Sequence, residues 1–393
     1  MTALSYRPFL TYFFTNSISL LGLWIQKIGV GWLTWQMTES TFWTSFVTLA
    51  LMAPAGILGP LFAVWAENWN MRVASIILKV LMLLLVSSIW YLQLLQLHNI
   101  YTLASLSLLH GLLSAMYHPV RLVFVSILVE KKLLGSAIGL NSASFNASRV
   151  IGPALAGFFI YFFNLEITFL ISALSYVPLI PFLFYVPLRI RKSNFKIKSF
   201  SQNLIGGIKF VLNSKIIFGS LFIVFVNAFF VRGILEIQPT IAGDILLGSS
   251  TSLSIITVTA GVGALLSSIL MSIRKFENQS LQKLLIPMPI VGFISSFLMG
   301  LTANIYHISI LFFLMGFTTT MIGITTQTII QLKVIDNYRA RVLTWWSSIS
   351  FGSLTIGGII LGICGEYFPL EYAIIFMSVS GYSFYKLFYT KFN

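Results

Sequence analysis

This sequence predicts an all-α polytopic membrane protein, with twelve transmembrane helices arranged as two six-helix pseudo-repeats. Three observations predict it. Apolar residues make up 57% of the chain and charged residues only 9%, against roughly 25% charged in a water-soluble domain. Long runs contain no Asp, Glu, Lys or Arg at all: 40–66, 80–120, 167–188, 245–273, 284–332 and 342–365. The basic residues collect in alternate loops between those runs. Mean hydropathy is +0.92.

The elements follow in order. A chain of 393 residues holds about twelve helices of about 20 residues with short loops. Hydrocarbon offers the backbone no water, so each segment must satisfy its own amides. Helices do this, and the short alternating strands of a barrel are absent from the pattern. Span 1 covers 9–35. Its apolar stretch is long and lacks a small-residue cleavage site, so it reads as a membrane helix and not a cleaved leader. Span 2 covers 43–65, in the first charge-free run. The run 80–120 is long enough for a helical hairpin and carries most of spans 3 (73–96) and 4 (100–122). Spans 5 and 6 cover 134–162 and 167–187. The longest connection, 188–215, holds Arg189, Arg191, Lys192, Lys196, Lys198, Lys209 and Lys215, and divides the chain near its middle. Spans 7 and 8 cover 216–240 and 250–272. A second hairpin-length run holds most of spans 9 (283–303) and 10 (306–331). Spans 11 (340–363) and 12 (370–389) complete the chain. The expected units are a bundle of residues 1–187, a basic linker 188–215, and a bundle of residues 216–393.

Charge parity tests this division. The amino terminus and every second loop carry Arg7, Arg72, Lys79, Arg121, Lys131, Lys132, the linker cluster, Arg274, Lys275, Lys283, Lys333, Arg339, Arg341, Lys386 and Lys391. The opposite loops carry Glu39, Glu166, Asp244, Glu366 and Glu371, and no Lys or Arg. The positive-inside rule therefore places both termini and the linker in the cytoplasm, with the protein in a bacterial inner membrane. The net charge of +14 is spent in these loops, which argues against a nucleic-acid partner. The single cysteine, Cys364, excludes an internal disulfide. There is no GxxxxGK[ST] loop for ATP, no HExxH and no cysteine cluster. No acids or histidines converge at one membrane face. The chain is expected to be no enzyme, to use no cofactor or metal, and to act as a monomer.

The two sets of spans resemble each other. Residues 129–157 align without gaps on 334–362, setting Ser142, Gly152 and Gly157 over Ser347, Gly357 and Gly362. Nearly the same offset sets Gly59-Pro60-Leu61 over Gly263-Ala264-Leu265. Six spans repeated in parallel is the logic of a two-bundle transporter with its site between the bundles.

The residues also resemble a known family over nearly the whole chain. The stretch Trp24-Ile25-Gln26-Lys27 followed by Gly31-Trp32-Leu33 is one part. The others are Gly59-Pro60-Leu61 through Ala66-Glu67, His118-Pro119-Val120-Arg121, Asn141 through Arg149 to Gly152-Pro153, Gln238-Pro239 to Gly248, and Gln331 to Val342. Together these resemble the major facilitator superfamily, and within it the bacterial efflux group that includes the enterobactin exporter and macrolide efflux proteins. The resemblance implies alternating access and a siderophore or an amphipathic drug as substrate. The loop after span 2 departs from the family pattern. Glu67 stands for the usual Asp, Asn68 and Met71 stand where bases are usual, and Arg72 is the main cation left for a cytoplasmic latch with Gly59. In span 5, Gly139, Ser148, Gly152, Pro153, Ala156 and Gly157 follow the spacing of the antiporter motif, with Ser148 and Ala156 replacing two glycines. Small residues let two helices approach closely, and a proline frees backbone, so such a seam can rock as a unit.

Several residues are candidates for the site. Arg149 lies about fifteen residues into span 5, near mid-membrane at 1.5 Å per residue. A charge there costs several kcal/mol unless paired or hydrated, and usually faces a cavity. An anion-binding or gating group is one reading, and a structural cation held by carbonyls with Asn141 or Asn146 is the other. Arg232 and Glu236 share a face of span 7 at i,i+4. Spans 1 and 7 are equivalent in the repeat, and a small register shift sets Lys27 opposite Glu236, which predicts an ion pair between the bundles. Glu236 is the one acid placed inside a span and is the expected proton carrier; a static pair near the outer surface is the alternative. Asn16, Gln26, Asn141, Asn146, Asn227 and Gln327 either line the path or act as interhelical glue. His110, His118 and His307 are scattered too widely for a metal site. The function expected is export of a small organic molecule by proton antiport. Uptake by the same fold, or a non-transporting membrane sensor or scaffold, are the other readings.

Overall fold

A computed structural model describes residues 3–67, 69–97, 99–187, 208, 210–248, 250–273, 278–334 and 336–392. Those residues are helical nearly throughout, in the order the hydropathy predicts. Nine helices among them are long and apolar enough to cross a membrane. A tenth span is the pair Thr41–Ala50 and Ala53–Gly59, bent by 46°. The bend falls just ahead of Pro54, whose ring cannot continue the hydrogen-bond ladder. Twelve spans were expected. The two that fall short are the helices Lys131–Phe162 and Leu370–Phe392. Polar side chains dilute both: Asn141, Asn146 and Arg149 with several serines in the first, Glu371 and Lys386 with serines and tyrosines in the second.

Helix starts are written in asparagines and serines. The side chains of Asn70, Asn99, Asn164 and Asn304 each accept from backbone N–H groups of the first turn of spans 3, 4, 6 and 10. Ser40 does the same for span 2 through Trp43 N at 3.1 Å. A cap of this kind contributes about 1 kcal/mol. Span 6 is interrupted between Leu165–Leu174 and Leu179–Tyr185, with Pro178 in the break. Span 7 is the least regular. Its α-helix Lys215–Asn227 runs into a π turn at Ala228–Arg232, a 3-10 turn at Ile234–Glu236, and a second π turn at Ile241–Ile245.

Burial is inverted relative to a soluble bundle. In span 3, Ile77, Leu81 and Leu84 are exposed, while Ser75 and Lys79 are buried beside Leu78, Met82 and Val86. An apolar stripe facing outward and polar groups facing in is what lipid on the outside requires.

The core explains how the halves meet. Among the acidic-loop ends, one cluster joins residues from both parts of the chain, Leu33, Val47 and Ile160 with Ile241, Leu253 and Leu361. That cluster continues toward the basic loops of the second set of spans through Leu281, Leu285 and Ile329, and two further cores each belong to one part of the chain. One, around Phe9, Met71, Phe124, Leu133 and Leu183, is drawn from residues 3–186 alone. Another is built from Val211, Ile217, Leu221, Ile330, Val334 and Val342. The acidic-loop side is also tied by polar contacts: Ser40 Oγ donates to Glu366 Oε2 at 2.8 Å, and Ser254 Oγ to the Gly157 carbonyl at 2.6 Å. Contacts thus join the two parts of the chain toward the acidic loops and continue to mid-span, where a Cβ on Gly56 would stand 2.6 Å from the Gly352 backbone.

The aligned glycines make matching contacts. A Cβ on Gly152 would stand 2.4 Å from Trp24 of span 1, and one on Gly357 would stand 2.0 Å from the Phe229 carbonyl of span 7. A Cβ on Gly157 would meet Ser254 of span 8 at 2.8 Å, and one on Gly362 would meet Ser45 of span 2 at 2.6 Å. Spans 5 and 11 thus press against equivalent neighbours, and small residues make both approaches possible.

Gly357→Val is expected to cost about 1–3 kcal/mol, because the clash is with backbone. It should lower the thermal midpoint of the detergent-solubilised protein. Gly219→Ala is the control, since nothing lies within 4 Å of its Cβ position, and its midpoint should hold or rise slightly.

Candidate functional site

One half-open cavity lies where spans 1, 5, 7, 8 and 10 meet. Trp24, Lys27 and Ile28 line it from span 1, and Arg149, Val150 and Pro153 from span 5. Across from them stand Arg232, Leu235, Glu236 and Gln238 of span 7, Thr257 and Ala260 of span 8, and Thr319 and Thr320 of span 10. Helical geometry makes these sets: positions i, i+3 and i+4 share a face, so Trp24, Lys27 and Ile28 point one way. Arg149 is 18 residues past Lys131, about 27 Å along a helix about 48 Å long.

The charges are brought together. Lys27 Nζ pairs with Glu236 Oε2, joining span 1 to span 7. Arg232 Nε stands 3.8 Å from Glu236 Oε1, and its Nη1 donates to Ser350 Oγ at 3.0 Å. Arg232 also lies 5.6 Å over the Phe351 ring, and Lys27 lies 5.1 Å over Trp24. Arg149 has a weaker anchor, Nη2 to Thr320 Oγ1 at 3.5 Å across the junction. Lys27 and Arg232 are 2% and 7% exposed. Three cations thus face one carboxylate and leave two positive charges in excess. Trp24 Nε1 and Thr319 Oγ1, both buried on the lining, have no protein hydrogen-bond partner. Such orphaned groups are rare unless something else satisfies them. The site can therefore accept an anion and offer it neutral donors besides.

The cavity is small, about 90 Å³. A buried water needs roughly 10–15 Å³ on the same measure, so the space admits a few waters. A drug-sized molecule needs roughly 300 Å³ or more. The site is contracted, and a solute of that size fits only when the halves part.

Other expected site residues lie elsewhere. Gln26 is fully buried beside Lys27 but turned about 100° from it, so it misses the cavity, and both its amide atoms lack partners. Asn16 accepts from Tyr117 Oη at 3.3 Å inside the N-terminal half. Asn141 and Asn227 are buried off the cavity, each with an unpartnered Oδ1. Asn146 and Gln327 are half-buried and outside the lining. Gln327 is two turns beyond Thr320, about 10 Å closer to the basic loops. Arg72 is not a latch to another loop here. Its Nη1 and Nη2 donate to the carbonyls of Phe184 and Val186, tying span 3 to the end of span 6. Gly59 and Gly139 have open space at their Cβ positions and are not close-packing residues. Glu67 ends its helix, and its side chain lies outside the described residues, as does most of the basic linker. Pro153 lines the cavity, while Gly152 and Gly157 make the close approaches to Trp24 and Ser254.

Sequence reasoning missed Thr319, Thr320, Thr257 and Gln238; Thr257 Oγ1 donates to Gln238 Oε1 at 2.7 Å. The run Thr318-Thr319-Thr320 inside an apolar span was the available signal. It also counted Lys79 and Arg121 with the loops. Both are inside the bundle, 2% and 3% exposed, because each sits more than a turn within its helix.

Apolar helices of membrane length around a charged cavity define a multi-pass membrane transporter. Residues 1–385 match a family model described as "Transmembrane secretion effector", MFS_3, and the chain belongs to that family of the major facilitator superfamily. It is 23% identical over 402 residues to the Staphyloferrin A transporter of Staphylococcus aureus, covering 96% of this chain and 95% of that one. It is 24% identical over 370 residues to an uncharacterized MFS-type transporter, YfiS, of Bacillus subtilis, covering 91% and 86%. Solved structures share the fold. The nucleoside transporter NupG superimposes with a TM-score of 0.69 at 12% identity, covering 98% of this chain and 99% of that one. A POT family transporter in complex with 5-aminolevulinic acid gives 0.73 at 13% identity, covering 98% and 96%.

Lys27→Met leaves Glu236 only the longer contact to Arg232 and should destabilise the protein by about 1–3 kcal/mol. In a double-mutant cycle the losses from Lys27→Met and Glu236→Gln should be less than additive. Thermal midpoints of the three purified variants measure it, and strict additivity would contradict the pairing.

Proposed function

We propose that the protein is a secondary active exporter of a small organic anion, working by alternating access between two six-helix bundles and driven by proton antiport. The observation that carries this reading is the excess of two positive charges in a cavity lined by both parts of the chain. Unpaired charge in low dielectric is costly, so an anionic solute is the natural complement. A siderophore bearing carboxylates fits that better than a cationic amphipathic drug. The family description as a secretion effector and the similarity to a Staphyloferrin A transporter support this class of cargo.

The coupling reading rests on Glu236. It is the carboxylate of the cavity, it binds Lys27 across the junction, and it shares Arg232 on its own span. Protonation of Glu236 would remove the attraction that holds spans 1 and 7 together, and deprotonation would restore it. The positive-inside rule supports basic loops and both termini in the cytoplasm of a bacterial inner membrane. On that orientation the two cores that each belong to one part of the chain lie toward the cytoplasm, where an exporter loads.

Transport into inside-out vesicles tests the reading, with radiolabelled solute secreted by the complemented strain and missing from the deletion strain. Arg149→Ala should lower uptake roughly a hundredfold or more while the protein stays in the membrane. Glu236→Gln should still exchange solute but should lose its response to an imposed proton gradient. An undiminished gradient response would remove Glu236 from the coupling role, and unchanged uptake by Arg149→Ala would remove the anion site.

A further inference from the structure

A second group of buried cations lies in the N-terminal half, apart from the cavity. Lys79 of span 3 and Arg121 of span 4 are 2% and 3% exposed. Lys79 is well satisfied. Its Nζ donates to Ser19 Oγ at 2.7 Å and stands 3.9 Å over the Tyr117 ring and 5.0 Å over Tyr176. Aromatic faces hold a desolvated ammonium well. Arg121 is not satisfied. Its guanidinium lies 4.8 Å over the Phe145 ring, and its Nη1 has no hydrogen-bond partner.

Among the described residues no carboxylate pairs with either cation, and the ion pairs Lys27–Glu236 and Arg232–Glu236 lie at the cavity. The nearby histidines do not help. His110 is engaged with Tyr176 Oη at 3.1 Å, and His118 stands edge-on to Phe145 at 6.0 Å. Two like charges in low dielectric without a counterion cost several kcal/mol. Cation–π contacts offset part of that for Lys79 but leave a free guanidinium donor on Arg121.

Phe145 connects this group to the cavity. Its ring packs edge-on against Trp24 at 6.1 Å, and Trp24 lines the cavity. Asn141, Phe145 and Arg149 follow at i, i+4 and i+8 on one face of span 5. Arg121 therefore lies beside Phe145 on the basic-loop side, and Arg149 lies one turn beyond that ring.

We propose that Arg121, backed by Lys79, is a second anion-binding site on the basic-loop side of Phe145, taking a carboxylate of a small organic acid before it reaches Arg149. The site follows from the local charge, and only the link to the transported solute rests on the export reading. Phe145 is the partition between the two sites.

Citrate is the probe, and it tests the two readings separately. Purified protein in nanodiscs is dialysed to equilibrium against radiolabelled citrate, with chloride and inorganic phosphate as competitors at fixed ionic strength. The native protein should bind two citrates. Arg121→Gln and Arg149→Gln should each bind one, and Lys79→Gln should weaken the second site by roughly tenfold or more. Arg121→Lys keeps the charge and guards against loss of fold; it should retain two. Phe145→Ala keeps every cation and should also retain two, with faster exchange between them. If Arg121→Gln still binds two, or if one native site is lost only in Arg149→Gln, the second site is overturned and the central reading stands. If the native protein binds one citrate that is lost only in Arg121→Gln, the second site stands and the central one falls. Displacement from the Arg121 site by chloride as readily as by citrate would overturn the carboxylate assignment.

Discussion

The structure depends on one requirement: a charge held away from water must have a partner. Lys27 meets it with Glu236, and because the two belong to spans 1 and 7 the pairing also joins the two halves of the chain. Arg232 is steadied from the same carboxylate and from Ser350. The remaining cation, Arg149, has only a hydroxyl at 3.5 Å. The electrostatics of the cavity thus combine a bonded part that couples the halves with a free part that is able to recruit a ligand. A single extra carboxylate from within the protein would abolish that division.

Packing supplies the mechanical side. Glycines on spans 5 and 11 bring helix backbones into contact with equivalent neighbours in each half, so both seams are narrow and smooth. One side-chain cluster is shared between the two parts of the chain, and two others, toward the basic loops, each belong to one part. Separate cores let each end keep its own packing while the distance between the ends changes. This is the condition for a rigid-body movement, since tightly packed interiors do not deform continuously.

Much of the fold was legible in the sequence because hydrocarbon is a strict solvent. Charge-free runs marked the helices, and alternation of Lys and Arg marked the loops. Lys27 and Glu236 were legible as a pair because the repeat makes spans 1 and 7 equivalent and a small register shift brings the two charges opposite each other. Other features needed the third dimension. Gln26 is next to Lys27 in sequence, yet a turn of 100° points it elsewhere; Asn146 shares a face with Arg149 and Val150 but lies one turn, about 5 Å, nearer the basic loops and outside the lining. The threonines of span 10 carry weak polarity, and many membrane threonines simply bond their own helix, as Thr318 does with Leu314. Lys79 and Arg121 lie near helix ends in sequence, where snorkelling to water is the usual outcome. Only the surrounding tyrosines and Phe145 reveal that they stay inside.

The π turn at Ala228–Arg232 has a consequence for the site. A π turn holds one residue more than the α turn it replaces. That surplus rotates everything after it by about 100° relative to an unbroken α-helix. The direction in which Glu236 points is therefore set by a count of backbone residues upstream as well as by its own identity. Shortening this segment by one residue would straighten span 7, leave every charged side chain present, and swing the carboxylate out of reach of its lysine.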